Sequence, residues 1–175
     1  MKKDILAYTD GSAVVAGKNK GNGGFGTYFP DLFGERRAFS LGFKETKTGE
    51  MEVMALLYAI KTMPIAYSEP VRLIVYSDSE YVVKSFTEYR LERWIDAGWR
   101  NSSGIVKNLK LWKKIVEELD KRKSYMSLQM RHIRSHQVEK SKNIFEKKNL
   151  LKDPNIQGNM VADRLADYKR HKELI

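Results

Sequence analysis

The stretch LAYTDGS at residues 6–12 carries an apolar run up to a bare carboxylate, Asp10, and breaks at Gly11. Asp-Gly is an ordinary turn signal, and a surface turn would account for it. A second stretch changes that reading. VRLIVYS (71–77) is short and mostly apolar, suited to a parallel strand buried on both faces, and Asp78 follows it directly. Two such strands lying side by side and parallel send both carboxylates out at one edge of the sheet. That is the edge where open α/β sheets place their ligands.

Working outward, NGGFGTYF (22–29) and RRAFSLGF (36–43), with PDLFGE between them as a turn, extend the first strand (4–10) into a meander. Glycines 21, 23, 24 and 26 match neither the P-loop nor the dinucleotide fingerprint, so they read as turn and strand-start glycines. EMEVMALLYAIKTM (50–63) is rich in helix formers and stops before Pro64. DSEYVVKSF (78–86) opens on capping residues, so a helix begins where the fourth strand ends. Helical patterns continue over 89–99 and 106–123, YMSLQMRHI (125–133) is the last strand, and a final helix covers about 159–172. The order predicts an α/β fold with a five-stranded mixed sheet flanked by helices. The connection 135–159 is long for a loop. Ile144, Phe145, Leu150 and Leu151 allow a short helix inside it. A floppy basic insertion over about 138–157 fits equally well, and the sequence does not choose.

The 175 residues suit one domain, 1–175, and a hydrophobic fraction of 42% with 7 Phe, 9 Tyr and 3 Trp supports a folded core. Absence of cysteine excludes disulfides and thiolate metal sites. No run has the length of a membrane helix and the first residues lack a signal-peptide pattern, so a cytoplasmic protein without membrane contact is expected. No stripe for self-association stands out, which favours a monomer. The net charge of +10 favours a polyanionic partner such as nucleic acid.

Two further acids join Asp10 and Asp78. Glu52 lies in the first turn of the helix after the third strand, and Asp163 near the start of the last helix. Each has a bland explanation alone: Glu52 offsets a helix dipole, Asp78 caps a helix, Asp163 sits on a solvated face. One shared cause is simpler than four separate ones. Unpaired carboxylates gathered in one pocket raise one another's pKa, and a hard divalent cation removes that penalty. On a basic protein, such a cluster suits metal-assisted attack on a phosphodiester.

YTDGS, EMEVMALLYAI, VYSDSEYVV and GNMVADRLA follow one another in the order of the four motifs of type 1 ribonuclease H, each on the expected element, and the chain resembles that family over nearly its whole length. The resemblance implies a ribonuclease H-like fold and hydrolysis of the RNA strand of RNA/DNA hybrids. It assigns Asp10, Glu52, Asp78 and Asp163 to two magnesium ions, with manganese as a substitute, and 5′-phosphate and 3′-hydroxyl products. Glu52 is preferred over nearby Glu50 because the MEVMA register fits the motif. His136, in HIRSHQ, matches the family's mobile histidine, which assists proton movement or product release; His132 reads as a strand residue and His171 as part of a frayed terminus.

Residues 89–114 interleave Arg90, Arg93, Arg100, Lys107, Lys110, Lys113 and Lys114 with Trp94, Trp99 and Trp112. Basic groups grip phosphates and flat rings pack on sugars and bases. The segment resembles the basic handle of bacterial family members, with Trp94 the leading contact to the DNA strand and Trp112 a core residue. Hybrid selection rests on the 2′-hydroxyl, and the resemblance points to the backbone around Gly11 and Ser12 and the turn before Glu52. Here TKTGEME replaces the family's Asn-rich turn, leaving Thr48 to substitute through its hydroxyl. Residues 138–152 add five lysines against two glutamates as a second basic arm. Rival readings are a resolvase or integrase on the same fold, a non-catalytic nucleic-acid-binding module, and a purely structural protein.

Overall fold

The computed structural model describes residues 2–172, with side chains through Lys169. β1 (Lys3–Ala13) is the middle strand of a five-stranded sheet. On one side it pairs antiparallel with β2 (Gly23–Leu32), which pairs with β3 (Glu35–Phe43). On the other it runs parallel to β4 (Val71–Ser77), which runs parallel to β7 (Met126–His132). The sheet is therefore mixed, in the order β3-β2-β1-β4-β7, as the sequence predicts.

Helices cover both faces. α1 (Thr48–Thr62) lies on β1 and β2 and packs against α4 (Leu109–Arg122), while α7 (Pro154–Lys172) crosses β1, β2 and β3. Alternation along β1 sets the two sides. Ile5 and Ala7 face the main core with Leu56, Ile60, Trp112 and Ile115, whereas Tyr8 meets α7 at Gly158, where an added Cβ would sit 2.4 Å from the ring. Buried Arg122 ties α4 to α1: its Nε donates to the Met63 carbonyl (3.0 Å) and its Nη1 to Glu118 Oε2 (2.6 Å). It satisfies a backbone acceptor just past the end of α1.

Two glycines bring the helices close to the sheet. A Cβ on Gly11 would lie 2.1 Å from the backbone nitrogen of Glu52, and one on Gly26 2.2 Å from the carbonyl oxygen of Ala162. Gly26 is the cross-strand partner of Asp10 and so shares its face, while Gly11 looks to the other. α1 and α7 thus close on the sheet from opposite sides at one level.

Several boundaries differ from the sequence reading. β1 does not end at Asp10 but continues to Ala13, because β2 goes on pairing with it after β4 has stopped. The expected PDLFGE turn shrinks to Phe33 and Gly34, both at positive φ, which is the geometry of a two-residue hairpin loop. The final helix starts at Pro154, a favoured first helical residue, rather than near 159. The long connection holds two short helices, α5 (Gln137–Lys140) and α6 (Ile144–Leu150). Between α2 (Glu80–Thr87) and α4 stand α3 (Arg90–Asp96) and a small hairpin, β5 (Arg100–Asn101) with β6 (Gly104–Ile105).

The Gly11 contact yields a prediction with a built-in contrast. Gly11→Ala forces backbone apart and should cost about 3 kcal/mol or more, a fall in melting temperature of roughly 6 °C or more. Gly49→Ala, in the first turn of α1 with its nearest neighbour 3.9 Å away, should be neutral or gain about 0.5–1 kcal/mol. Thermal melts of both variants beside the parent check the pair.

Candidate active site

Thr9 opposite Ser77 is the last parallel pair between β1 and β4. One residue further on, Asp10 and Asp78 leave the paired region together. On the outer side Ser77 pairs with His132 of β7, and the His132 ring nitrogen lies 3.3 Å from the Asp78 carbonyl. Ser79 then caps α2, its Oγ accepting from the Val82 N–H. The same hydroxyl donates to Glu52 Oε2 at 2.6 Å, which fixes Glu52 toward β4. Asp163 arrives from the opposite face, one residue after Ala162, whose carbonyl approaches Gly26.

These acids lie close enough for their charges to act on one another. Burial, then the charges of Asp78 and Asp163, hold the Asp10 carboxyl well above the usual carboxylate range, despite the Gly11 N–H donating to it. Asp10 is 8% exposed. Burial also raises Asp78, with Asp163 adding to the rise, while a hydrogen bond with Asp10 pulls the other way. Glu52 is raised by burial and, less, by Asp78, against the Ser79 hydrogen bond. Glu50 is tied elsewhere, accepting from Thr46 Oγ1 at 2.7 Å. Among the described residues, no three His, Asp or Glu side chains are already closed into a cage for a metal ion. Magnesium does not require one: it binds through one or two carboxylates, keeps waters and takes substrate oxygens. An all-oxygen donor set under mutual repulsion fits such an ion.

His136 stands at the mouth of the cluster, backbone in the left-handed region (φ 53°), with Nδ1 2.8 Å from Glu139 Oε2. It shares a cavity of about 130 Å³ with Asp78, Asp163, Arg134 and Asn159. Ser12 lines a second opening with His136 and Asp163. Thr48 lies at the start of α1, beside Lys47 and the 13–15 segment. Gly11 is buried beneath α1 and serves the approach of Glu52. Arg93, Arg100 and Lys107 are exposed along the 89–114 segment. That segment is fastened to α1 by Asn108, whose side-chain amide donates to the Gly49 carbonyl at 3.1 Å.

Trp94 is a correction. It is 8% exposed, its ring 5.5 Å from Trp112 and 6.3 Å from Tyr81, inside the main core. Its spacing from Leu91 places both on the buried face of α3, so it has no ring to offer a nucleic acid. Trp112 is in the core, as expected. The His171 side chain lies outside the described residues. Two site residues escaped the sequence reading. Ser79 was legible only as a capping residue, and Asn159 stands four before Asp163, which puts both on one helix face. Asn159 is 7% exposed, with an unpartnered Oδ1.

Acids from a sheet edge and from helices on both faces gather at one point on a basic chain. The family model for RNase H matches residues 2–170. The ribonuclease H of Lachnoclostridium phytofermentans is 39% identical over 117 residues, covering 64% of this chain and 70% of that protein. That of Hahella chejuensis is 33% identical over 135 residues, covering 77% and 82%. A foamy viral protease-reverse transcriptase solved in complex with RNA/DNA hybrid superimposes with a TM-score of 0.71 at 22% identity, over 95% of this chain and 20% of that longer one. The chain belongs to the RNase H family. It is a hydrolytic ribonuclease, of a family that degrades RNA in RNA/DNA hybrids endonucleolytically and is in general metal-dependent. Membership sets aside the resolvase, binding-module and purely structural readings. No helix among the described residues is long and apolar enough to cross a membrane.

Two predictions follow from the packing and charges. Trp94→Ala should cost about 3–5 kcal/mol of stability and leave the KM of the folded fraction for hybrid unchanged, as paired melts and kinetics would show. The raised acids have a linked sign. Folded Asp10 keeps a proton that an unfolded aspartate, at 3.8, has released, so stability falls as pH rises from that value through the raised one. In EDTA at pH 7, Asp10→Asn should therefore melt a few degrees above the parent, since about 1 kcal/mol moves a chain of this size by roughly 2–4 °C. At pH 4 the gap should close.

Proposed function

We propose that the chain cuts the RNA strand of RNA/DNA hybrids at the Asp10–Glu52–Asp78–Asp163 edge. The observation that carries this is the convergence of mutually repelling acids, Asp10 buried and Glu52, Asp78 and Asp163 half-buried, from β1, α1, the end of β4 and α7 beside an exposed histidine. These carboxylates supply oxygen ligands on rigid elements, which keeps their geometry when a substrate phosphate arrives. Asp10, Glu52, Asp78 and Asp163 would hold two magnesium ions, or manganese, whose chemistry would be to activate a water and stabilise the departing 3′ oxygen, with 5′-phosphate and 3′-hydroxyl ends as products.

The chain's own groups do the rest. Ser79 fixes one Glu52 oxygen and leaves the other for a ligand. Glu139 holds His136 Nδ1, leaving Nε2 to exchange a proton with the leaving product. Arg93, Arg100 and Lys107 hold phosphates of the duplex from the handle side. Ser12, at an opening it shares with Asp163, and Thr48, at the start of α1, meet the 2′-hydroxyls that separate RNA from DNA. We read the chain as a cytoplasmic monomer with this single domain.

Cleavage of a labelled RNA strand tests the reading, on hybrid, duplex DNA and branched DNA, with magnesium or EDTA. Hybrid alone should be cut, only with magnesium, and Asp78→Asn should slow cutting by roughly 100-fold or more. Intact hybrid under all conditions, or equal activity in EDTA, would overturn it.

A further inference from the structure

The stretch between β7 and α7 is folded. Val138 and Leu150 pack into a small cluster with Ile133 and Ile156. The Tyr8 hydroxyl donates to Asn155 Oδ1 at 2.8 Å, and Asn143 Oδ1 caps α6 at the Phe145 N–H (2.8 Å). These contacts hold the base of the segment to the body. Beyond Leu150 at its end, α6 has no such use: none of its residues is fully buried, and Ile144 and Phe145 are 70% and 71% exposed, side by side. Adjacent exposed apolar side chains form a contiguous patch, and such patches rimmed by polar residues mark interaction sites.

Charge indicates which partner. Both glutamates are spent inside the segment, Glu139 on His136 and Glu146 on the Ser141 hydroxyl at 2.8 Å. Among the described residues, no ion pair engages Lys140, Lys142, Lys147, Lys148 or Lys152. Their field points outward. Position indicates the same partner: a cavity of about 620 Å³ runs from Asp78 and Arg134 to Lys140, Lys142 and Glu146. The handle is fastened to the start of α1 through Asn108; this segment adjoins Asp78 and His136 instead.

We propose that α5 and α6 form a second arm that grips the RNA/DNA hybrid beside the carboxylates. Lys140, Lys142 and Lys148 meet backbone phosphates, and the Ile144–Phe145 edge lies on the sugars of the wide, shallow minor groove. Such a groove displays sugars that a flat apolar edge can cover, while the lysines supply affinity by counterion release. The arm explains how a chain whose handle lacks an exposed Trp94 holds its duplex. The inference rests on the hybrid reading above.

The test is fluorescence anisotropy of labelled hybrid, with magnesium, in an Asp78→Asn background so that the duplex stays whole, as a function of salt. The arm variants are K140A/K142A/K148A and Phe145→Ser, each checked by circular dichroism; all four side chains are exposed, so the fold is retained. The triple variant should weaken binding about tenfold or more and flatten the log–log salt slope by roughly 0.9 per lost phosphate contact. Phe145→Ser should weaken it severalfold with the slope unchanged. A background protein that binds hybrid while both variants match its affinity and slope overturns the arm alone. A background protein that does not bind hybrid, from a parent that does not cut it, overturns the arm and the hybrid reading together.

Discussion

Like charges gathered away from water repel, and this chain gathers them at one point by design of its sheet. The register that sets Thr9 opposite Ser77 makes Asp10 and Asp78 neighbours, and no rearrangement of side chains alone can separate them. Burial raises the cost of ionising both. Everything else near the edge holds that arrangement together: β2 carries β1 beyond Asp10, Ser79 restrains Glu52, and α7 delivers Asp163. A cluster built this way costs stability, the usual direction of the trade between stability and activity.

Close approach of backbone to backbone is what makes the gathering possible. Gly11 lets α1 descend until Glu52 reaches the edge, and Gly26 lets α7 do the same from the other face. Each removes a side chain where the helices would otherwise stand off by the width of a methyl group. Arg122 adds restraint at the far end of α1, bonding to the Met63 carbonyl and, from Nη2, to that of Lys61 at 3.3 Å. The geometry of this acidic cluster is thus a packing result before it is an electrostatic one.

The sheet and its edge were legible because two apolar runs each stop at an aspartate, and because strand and helix periods differ. Glu52 was legible through its register, and the structure separates it from Glu50 by giving each a different hydroxyl partner. What was hidden depended on tertiary partners. Trp94 in a basic segment looks like a stacking ring until Trp112 and Tyr81 are seen beside it. Pro154 as a helix start, rather than a residue of a loop, depends on the docking of α7 against Tyr8. The segment before it balanced between loop and helix because its anchors, Val138 and Leu150, are two isolated apolar residues whose partners lie on other elements.

The central claim is that a repelling carboxylate cluster awaits divalent cations at the sheet edge. Carbon-13 NMR of the side-chain carboxyls of Asp10, Glu52 and Asp78, titrated with pH in EDTA and again in magnesium, addresses it directly. The account predicts midpoints above the ordinary values of 3.8 for aspartate and 4.5 for glutamate in EDTA, Asp10 the most displaced, and a clear fall in all three with magnesium. Ordinary midpoints in EDTA that magnesium leaves unmoved would contradict it.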